Sequence, residues 1–504
     1  MARKVKTRVR LEGELVARTA LHVGGMGGDA DVDLALAVNG NGTHYIPGTS
    51  LAGVLRSWFE HFDGGTDHFW GPRTSRERPE EGHASLVIVE DAPINGRVET
   101  EIRNGVGIDR QTGTAATGIK YDRGVLPRGT RIPLRVTIDF TDEATWEAAS
   151  DSWFALLEAL KRGQVRFGAG KTRGLGRVQL DAPSVKVQQL STRAGMLAAL
   201  KDGGESVSFE TLPAPAKHST RPWLTFTVHW RPLGPLMVKS GVDGLAVDML
   251  PLVSAVGLDA VRFCLPGSAI KGTLRSWCER LVCTLLDRPE VQERNSGSRF
   301  LAQVEQPLVK HLFGSANTYR AAGVLSVDDC YAINQIAADQ WNAIETATSD
   351  GSLQSALRTS GLDGRLQQSY HVAIDRWTGG AADSMLFTVL EPHALTWEPL
   401  RFDLDLDSKR LDGSLQFPIL ALLLLMLRDL GKNRIPLGFA ALRGMGAVAV
   451  ERVEIEGSGL PTELSGLQEA TLVVGDFAAL DYKLLTTLQT AWKNWIDQQS
   501  EEAP

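Results

Sequence analysis

The residues that first suggest chemistry in this 504-residue chain lie in Gly168-Ala-Gly-Lys-Thr-Arg-Gly-Leu-Gly-Arg177, a glycine-rich run with a lysine and two arginines. Gly170-Lys171-Thr172 has the ending of a nucleotide-phosphate loop, in which backbone amides cradle phosphates and the lysine adds charge. The spacing excludes that reading, because the required first glycine would fall at Val165. Such a loop must also enter a helix, whereas Arg177-Val-Gln-Leu180 leads into a strand. Binding of a polyanion fits better. Residues 161–177 hold six basic and no acidic side chains, and residues 103–135 hold seven basic against two acidic. Acidic residues gather instead in 141–158, 398–412 and the C-terminal tail, so the net charge of −7 conceals a basic stripe on an acidic body. That is the pattern of a single-track polyanion site; ordinary fluctuation of surface charge is the competing explanation.

Other chemistries find less support. Cys264, Cys278, Cys283 and Cys330 form no C-x-x-C pair, which excludes a zinc ribbon or a disulfide framework. With 43% hydrophobic and 22% charged residues the chain is ordinary globular protein, too long for one core and suited to two domains. No run of eighteen apolar residues exists, and the run at 419–427 is too short to cross a bilayer. Met1-Ala-Arg-Lys leads into alternating residues rather than a signal-peptide core. The expectation is a soluble, cytoplasmic protein with no membrane partner.

The elements that position these residues occur twice. Ile46-Pro-Gly-Thr-Ser-Leu-Ala-Gly-Val-Leu-Arg-Ser-Trp58 returns as Leu265-Pro-Gly-Ser-Ala-Ile-Lys-Gly-Thr-Leu-Arg-Ser-Trp277, with seven of thirteen positions identical. The glycine-rich run is answered by Gly438-Phe-Ala-Ala-Leu-Arg-Gly-Met-Gly-Ala447, and Gly107-Ile-Asp-Arg-Gln-Thr-Gly-Thr-Ala115 by Ala373-Ile-Asp-Arg-Trp-Thr-Gly-Gly-Ala381. Three anchors in one order make a tandem duplication. Pro-Gly excludes helix interior and places Thr49 and Ser268 as N-caps of a helix whose apolar face begins at Leu51 and Ile270. Gly53 and Gly272 inside the first turns leave two explanations open. One is a phosphate on a bare helix N-terminus, the other a tight helix-on-sheet contact. Strands at 5–18, 31–38, 85–90 and 131–140 alternate with these helices, which predicts an α+β ferredoxin-like sheet. The chain divides into a first unit (1–190, with a projecting hairpin near 95–131), a linker (191–220) and a second unit (221–460, with an insertion near 286–365). A helical appendage follows (461–504), whose Leu484, Leu485, Leu488, Trp492 and Trp495 stripe is expected to be packed.

These motifs together resemble the RAMP superfamily of CRISPR effector proteins. The Ile-Asp-Arg-x-Thr-Gly-x-Ala segment narrows the likeness to backbone subunits of type III complexes, with two such subunits fused in one chain over about 5–182 and 223–452. The resemblance implies two tandem ferredoxin-like, RNA-recognition-like domains that grip a guide RNA, each with a thumb hairpin that wedges into the guide–target duplex. It implies metal-dependent cutting of target RNA through an aspartate before the Pro-Gly helix. Asp33 and Asp248 fit that place as catalytic and metal-holding residues, with Asp31 a rival to Asp33. The metal would be Mg²⁺ or Mn²⁺, bound weakly and completed by RNA, and the RNA's own 2′-OH would be the nucleophile.

From the charge distribution, guide binding is expected to rest on Arg56, Lys271, Arg275, Lys171 and Arg173, near the Pro-Gly helix and the closing glycine loop, and the RNA path is expected to take in Gly168, Gly170, Arg110, Arg376 and Arg443 as well. The family's lysine before the helix glycine is present as Lys271 and absent at Ala52. Asp109 and Asp375, at the base of each thumb, are expected to position Arg110 and Arg376. For Arg56 and Arg275 an ion pair capping the core is the alternative. Implied partners are the guide (crRNA), the target RNA and other type III subunits, including further backbone units and a large polymerase-like subunit. Two other functions stay open: a non-catalytic scaffold, and a metal-independent guide-processing ribonuclease using His22 and His44.

Overall fold

A computed structural model of the chain describes residues 4–25, 32–60, 67–72, 83–96, 98–141, 146–207, 221–315, 321–407, 411–473 and 480–501. The glycines at 27–28, Asp31 and positions 208–220 of the expected linker lie outside the described residues. The chain forms two compact units. The first comprises Met1–Thr100, Gly124–Lys171 and Leu175–Thr220; the second comprises Arg221–Pro504 together with Glu101–Arg123 and Thr172–Gly174.

In the first unit the alternating strand Thr7–Ala17 buries Val9, Leu11 and Leu15 and lies at the centre of a five-stranded antiparallel sheet. Arg131–Phe140 and Val178–Gln189 flank it, and Val87–Val89 and Glu205–Val207 form the edges. The helices Gly48–Phe59 and Trp146–Lys161 bury Leu51, Leu55, Phe59, Trp153 and Leu160 in the same core. Several of the residues alternating with the core ones are paired ions, such as Arg8 with Asp139 at 2.7 Å and Arg131 with Glu14 at 2.5 Å. That face of the central strand presents no ring on which a base could stack.

The second unit repeats the layout. Trp223–Pro232, Leu400–Asp405 and Val448–Ser458 form the middle of a six-stranded sheet; Glu469–Val473 is one edge, and beyond Leu325–Asp328 the short Arg173–Gly174 pairs in parallel as the other. Gly267–Leu285 and Gln416–Gly431 stand where the two helices of the first unit stand. The result is the mixed α+β, two-half ferredoxin-like fold that the repeats predicted.

Several boundaries differ from the sequence reading. Residues 191–207 are not linker: Arg193–Ala199 is a helix and Glu205–Val207 adds an edge strand to Val178–Gln189. Glu469–Val473 does the same on Val448–Ser458, so the C-terminal segment is more than a helical appendage. Its helix Tyr482–Glu501 buries Leu484, Leu488 and Trp495 in the second core. The expected insertion at 286–365 contains one member of the main sheet, Leu325–Asp328, with helices on either side of it. The segment around 32–38 makes isolated bridges (Gly24 with Leu36, Val38 with His44) rather than a strand. The run at 419–427, read as too short to span a bilayer, lies within the longer helical stretch Gly413–Gly431, which is long and apolar enough by composition. It forms a core helix with Ile419, Leu420, Leu422, Leu423, Met426 and Leu430 fully buried.

The glycine-rich closing loops have a packing reason that recurs in both units. Gly176 and Gly446 have φ of +86° and +84°, and a Cβ there would sit 2.0 Å from the Phe167 carbonyl oxygen and 2.1 Å from that of Leu437. Gly446→Ala should therefore cost about 1–3 kcal/mol. Urea denaturation should show a lower midpoint with an unchanged m-value; an unchanged midpoint would contradict the close approach.

Candidate nucleic-acid interface

Matching backbone hydrogen bonds align the loops that carry the two candidate aspartates. In the first unit Gly25 N–H donates to Ala35 O and Ala37 N–H to Val23 O, at 3.3 and 2.9 Å. In the second, Ser240 N–H donates to Leu250 O and Leu252 N–H to Val238 O, both at 2.8 Å. The base of each thumb's return strand then joins in: Gly124 N–H reaches Leu34 O and Leu390 N–H reaches Met249 O, each at 3.0 Å. Leu34 and Met249 are thus the same structural position, which makes Asp33 and Asp248 equivalent neighbours, both exposed. Asp248 Oδ2 accepts the Thr388 amide at 2.7 Å and its hydroxyl at 2.9 Å, and Oδ1 has no protein partner among the described residues. No group of three His, Cys, Asp or Glu among the described residues could hold a metal alone. What is present fits a hard cation completed by ligands from outside the protein, and not a closed metal centre.

The same alignment settles His22. It is 4% exposed, its Nδ1 lies 2.7 Å from the Gly124 carbonyl, and its own carbonyl accepts Ala169 N–H at 2.8 Å. Met237 holds the corresponding place, accepting Phe439 N–H at 2.7 Å. A position that tolerates His or Met packs the loop; it does not present an acid–base group to solvent. His44 is half-buried, and the residue at its place in the second repeat is the buried Phe263. Gly168 and Gly438 press on the carbonyls of His22 and Met237, where a Cβ would lie 2.2 and 2.3 Å from oxygen. Gly168 is thereby required for packing, and Gly170, at φ +73°, turns the loop.

Of the candidate cations, Lys171, Arg173, Arg376 and Arg443 are exposed. Arg173 donates to the Tyr121 hydroxyl at 3.0 Å, and Arg443 lies over the Phe387 and Phe439 rings at 5.4 and 5.3 Å. Lys271, Arg275 and Arg110 are turned inward instead. Buried Lys271 donates to the Leu325 carbonyl at 2.7 Å. Arg275 bonds Glu279 at 2.7 Å and the Val304 carbonyl, the core ion pair that was its alternative. Arg110 reaches the same buried Glu279 at 2.7 Å and covers the Phe300 ring. Half-buried Arg56 donates to the Gly71 carbonyl at 2.8 Å.

The start of the repeated helix also differs from expectation. It begins at Gly48 and Gly267, with Pro47 and Pro266 as N-caps, so Thr49 and Ser268 lie inside the first turn. The first amide is capped from the sheet: Gly48 N–H donates to Asp91 and Gly267 N–H to Asp329, each at 2.7 Å. A Cβ on either glycine would meet the carbonyl oxygen of Val89 or Val327 at 2.3 Å. A Cβ on Gly53 or Gly272 would meet no atom within 4 Å among the described residues, which removes the tight-contact explanation for them. Asp91 and Asp329 were missed in the sequence, although Val89-Glu-Asp91 and Val327-Asp-Asp329 repeat a signal that could have found them.

The Asp-Arg-x-Thr-Gly segments form the tips of the thumb hairpins, not their bases. Glu101–Ile108 and Ala115–Val125 flank the first tip, Leu366–Ile374 and Ala381–Pro392 the second. Each aspartate closes its own turn, Asp109 on Gln111 N–H and Thr112, Asp375 on Trp377 N–H and Thr378. Neither positions the adjacent arginine. Asp109 is fully buried and bonds Arg299 through both oxygens, with Gln303 at 3.0 Å. Arg299 beside it holds that carboxyl well below the usual range. Arg299→Ala should raise amide hydrogen exchange throughout residues 101–123 and leave 366–392 unchanged. Equal protection in variant and parent would show that the pair does not hold the hairpin.

A second buried cluster lies beside the helix cap. Arg103 bonds Glu101 at 3.0 Å, Glu101 accepts from Ser254 and the Ala255 amide, and Tyr331 donates to Asp329 at 3.3 Å. Burial pushes the Cys264 thiol up to about 12, so it is no nucleophile. Burial likewise pushes Asp329 up to about 6, against the pull of Arg103 and the Gly267 amide. The folded chain then binds a proton that the unfolded chain has released between about pH 4 and 6. Stability from this group grows as pH falls through 6 and is lost as pH rises through it. Urea midpoints should rise between about pH 7 and 5, and Asp329→Asn should remove that rise; an identical pH profile would show that Asp329 is ionised in the fold.

The comparisons agree with the geometry. The family model for the RAMP superfamily matches residues 14–179 and again residues 231–449. No curated protein matches the chain. Two successive matches covering most of the sequence, each spanning a Pro-Gly helix, a thumb and a closing glycine loop, establish that the chain belongs to the RAMP superfamily as a tandem two-unit member.

Proposed function

We propose that the chain is a two-unit backbone subunit of a type III CRISPR interference complex in the cytoplasm. It binds guide RNA and cuts the paired target at two positions, one per unit, as a metal-dependent endoribonuclease. The observation that carries this reading is the equivalence of Asp33 and Asp248, two exposed carboxylates set one residue before the backbone bridge to each thumb. Packing does not explain an exposed acid at the same place in both units. In unit two Oδ1, without a partner among the described residues, is a single hard ligand, to which RNA phosphates would add the rest. Mg²⁺ or Mn²⁺ held there supplies charge stabilisation at the reacting phosphate. The 2′-OH, losing its proton to water, attacks the adjacent phosphorus; the 5′-oxygen leaves and takes a proton from water, giving a 2′,3′-cyclic phosphate and a 5′-hydroxyl, on a nucleotide splayed from the duplex by the thumb. The chain's own task is to hold the RNA path through Lys171, Arg173, Arg376 and Arg443 and to place the two carboxylates. Further backbone units and a polymerase-like subunit complete the assembly.

A scaffold without catalysis is the second reading, favoured by the firm internal bonding of Arg110, Lys271 and Arg275. Guide processing by His22 is disfavoured by its burial. The assembled complex distinguishes them. With labelled target RNA, Asp33→Ala should remove one product and Asp248→Ala the other, each by about 100-fold or more, with target affinity nearly intact. EDTA should remove both. Two unchanged products would overturn the assignment, and metal-independent cutting would overturn the mechanism.

A further inference from the structure

The second thumb reaches back to the acid that it stands over. Thr388, on the return strand Ala381–Pro392, and Asp248, on the loop after the unit's first strand, close a ring of three hydrogen bonds. Asp248 N–H donates to Thr388 Oγ1 at 3.0 Å, that hydroxyl donates to Asp248 Oδ2 at 2.9 Å, and Thr388 N–H donates to the same oxygen at 2.7 Å. The hydroxyl is used in both directions, so its proton has one orientation. We infer that Thr388 is a positioning residue for Asp248: it holds Oδ2 against the thumb and leaves Oδ1 aimed outward as the one oxygen able to meet a cation.

This rests on the catalytic role proposed above for Asp248. An exposed aspartate ordinarily samples several rotamers, and a cation held by one carboxylate oxygen depends on where that oxygen points. The strand that fixes it belongs to the hairpin, Tyr370 pairing with Thr388 across it. Met249, the next residue, adds the backbone tie by donating to Thr388 O at 3.1 Å and accepting from Leu390. The carboxylate is therefore referenced to the thumb, and the element that would mark the cut also aims the acid. Valine keeps the β-branched shape and the backbone N–H bond while removing both hydroxyl bonds. Serine restores the hydroxyl and loses only the methyl.

The experiment uses the assembled complex with its guide, a labelled complementary RNA and a Mg²⁺ titration. Cleavage at the first-unit position serves as the internal control. Thr388→Val should lower cleavage at the second-unit position by about 10–100-fold and raise the Mg²⁺ needed for half-maximal cutting there, with the other position unchanged. Thr388→Ser should restore both readouts. If Asp248→Ala abolishes the second cut and Thr388→Val leaves its rate and Mg²⁺ requirement unaltered, the positioning role is wrong and the catalytic reading stands. If Thr388→Val weakens both cuts alike, the residue serves the fold and the inference is overturned. If Asp248→Ala leaves the cut intact, the catalytic reading itself fails.

Discussion

The constraint on which the rest of the molecule depends is the contact between a helix start and a strand carbonyl, made once in each unit. Gly48 and Gly267 come so close to Val89 O and Val327 O that no side chain fits, and an aspartate two residues along the strand takes the first free amide. Close approach alone would leave an unsatisfied buried N–H, and the carboxylate removes that cost while favouring the positive end of the helix. With this joint set, the spacing of Leu51, Leu55 and Phe59, or of Ile270, Leu274 and Cys278, carries the helix across the sheet and builds the core. A phosphate has no vacant first amide to bind there.

That joint is symmetric between the units, and most of what surrounds it is not. The first thumb's Glu101–Arg123 is an integral part of the second compact unit. Its tip aspartate is buried on Arg299, and Arg110 shares Glu279 with Arg275. The second tip carries the same motif in water, with Trp377 95% exposed. Identical turn chemistry therefore closes both tips, and the difference lies in the helix Ser296–Gln303, which supplies Arg299 and Gln303 to the first. Part of the stretch that looked like an added insertion is in this way a clasp for the first hairpin. Buried charges of this kind are costly to leave unpaired, so the clasp is specific as well as firm.

The two candidate acids show the opposite pattern, exposed in both units and held by the same backbone bridges. Their surroundings contain groups that pack and groups that do not. His22 and its counterpart Met237 pack, and so do Gly168 and Gly438. Arg173 and Arg443 rest against Tyr121 and Phe387 with their guanidinium groups still at the surface, suited to phosphate or to a stacked base. Charge density in the sequence does not separate these classes, because a cation on a helix face and one on a loop contribute equally to it.

What the sequence by itself determined was the duplication, the α+β sheet of each half, and the place of the helix, the thumb and the closing loop. These rest on local steric rules: Pro-Gly ends a strand, a 3.6-residue apolar spacing makes a helix face, alternation makes a half-buried strand. Asp33 and Asp248 were chosen by the family resemblance, and the backbone bonds place them at equivalent positions in the two units. Tertiary structure alone decided which cations face solvent. Lys271, Arg275 and Arg110 read as RNA contacts until the carbonyls of Leu325 and Val304 and the carboxylate of Glu279 were brought to them from distant positions. The same applies to the ends of the sheet, where Glu205–Val207 and Glu469–Val473 were taken for linker and appendage. Short strands carry little periodicity, and their pairing is set by the edge they meet rather than by their own residues. An arginine's partner is a long-range fact, and burial selects it only after the chain has folded.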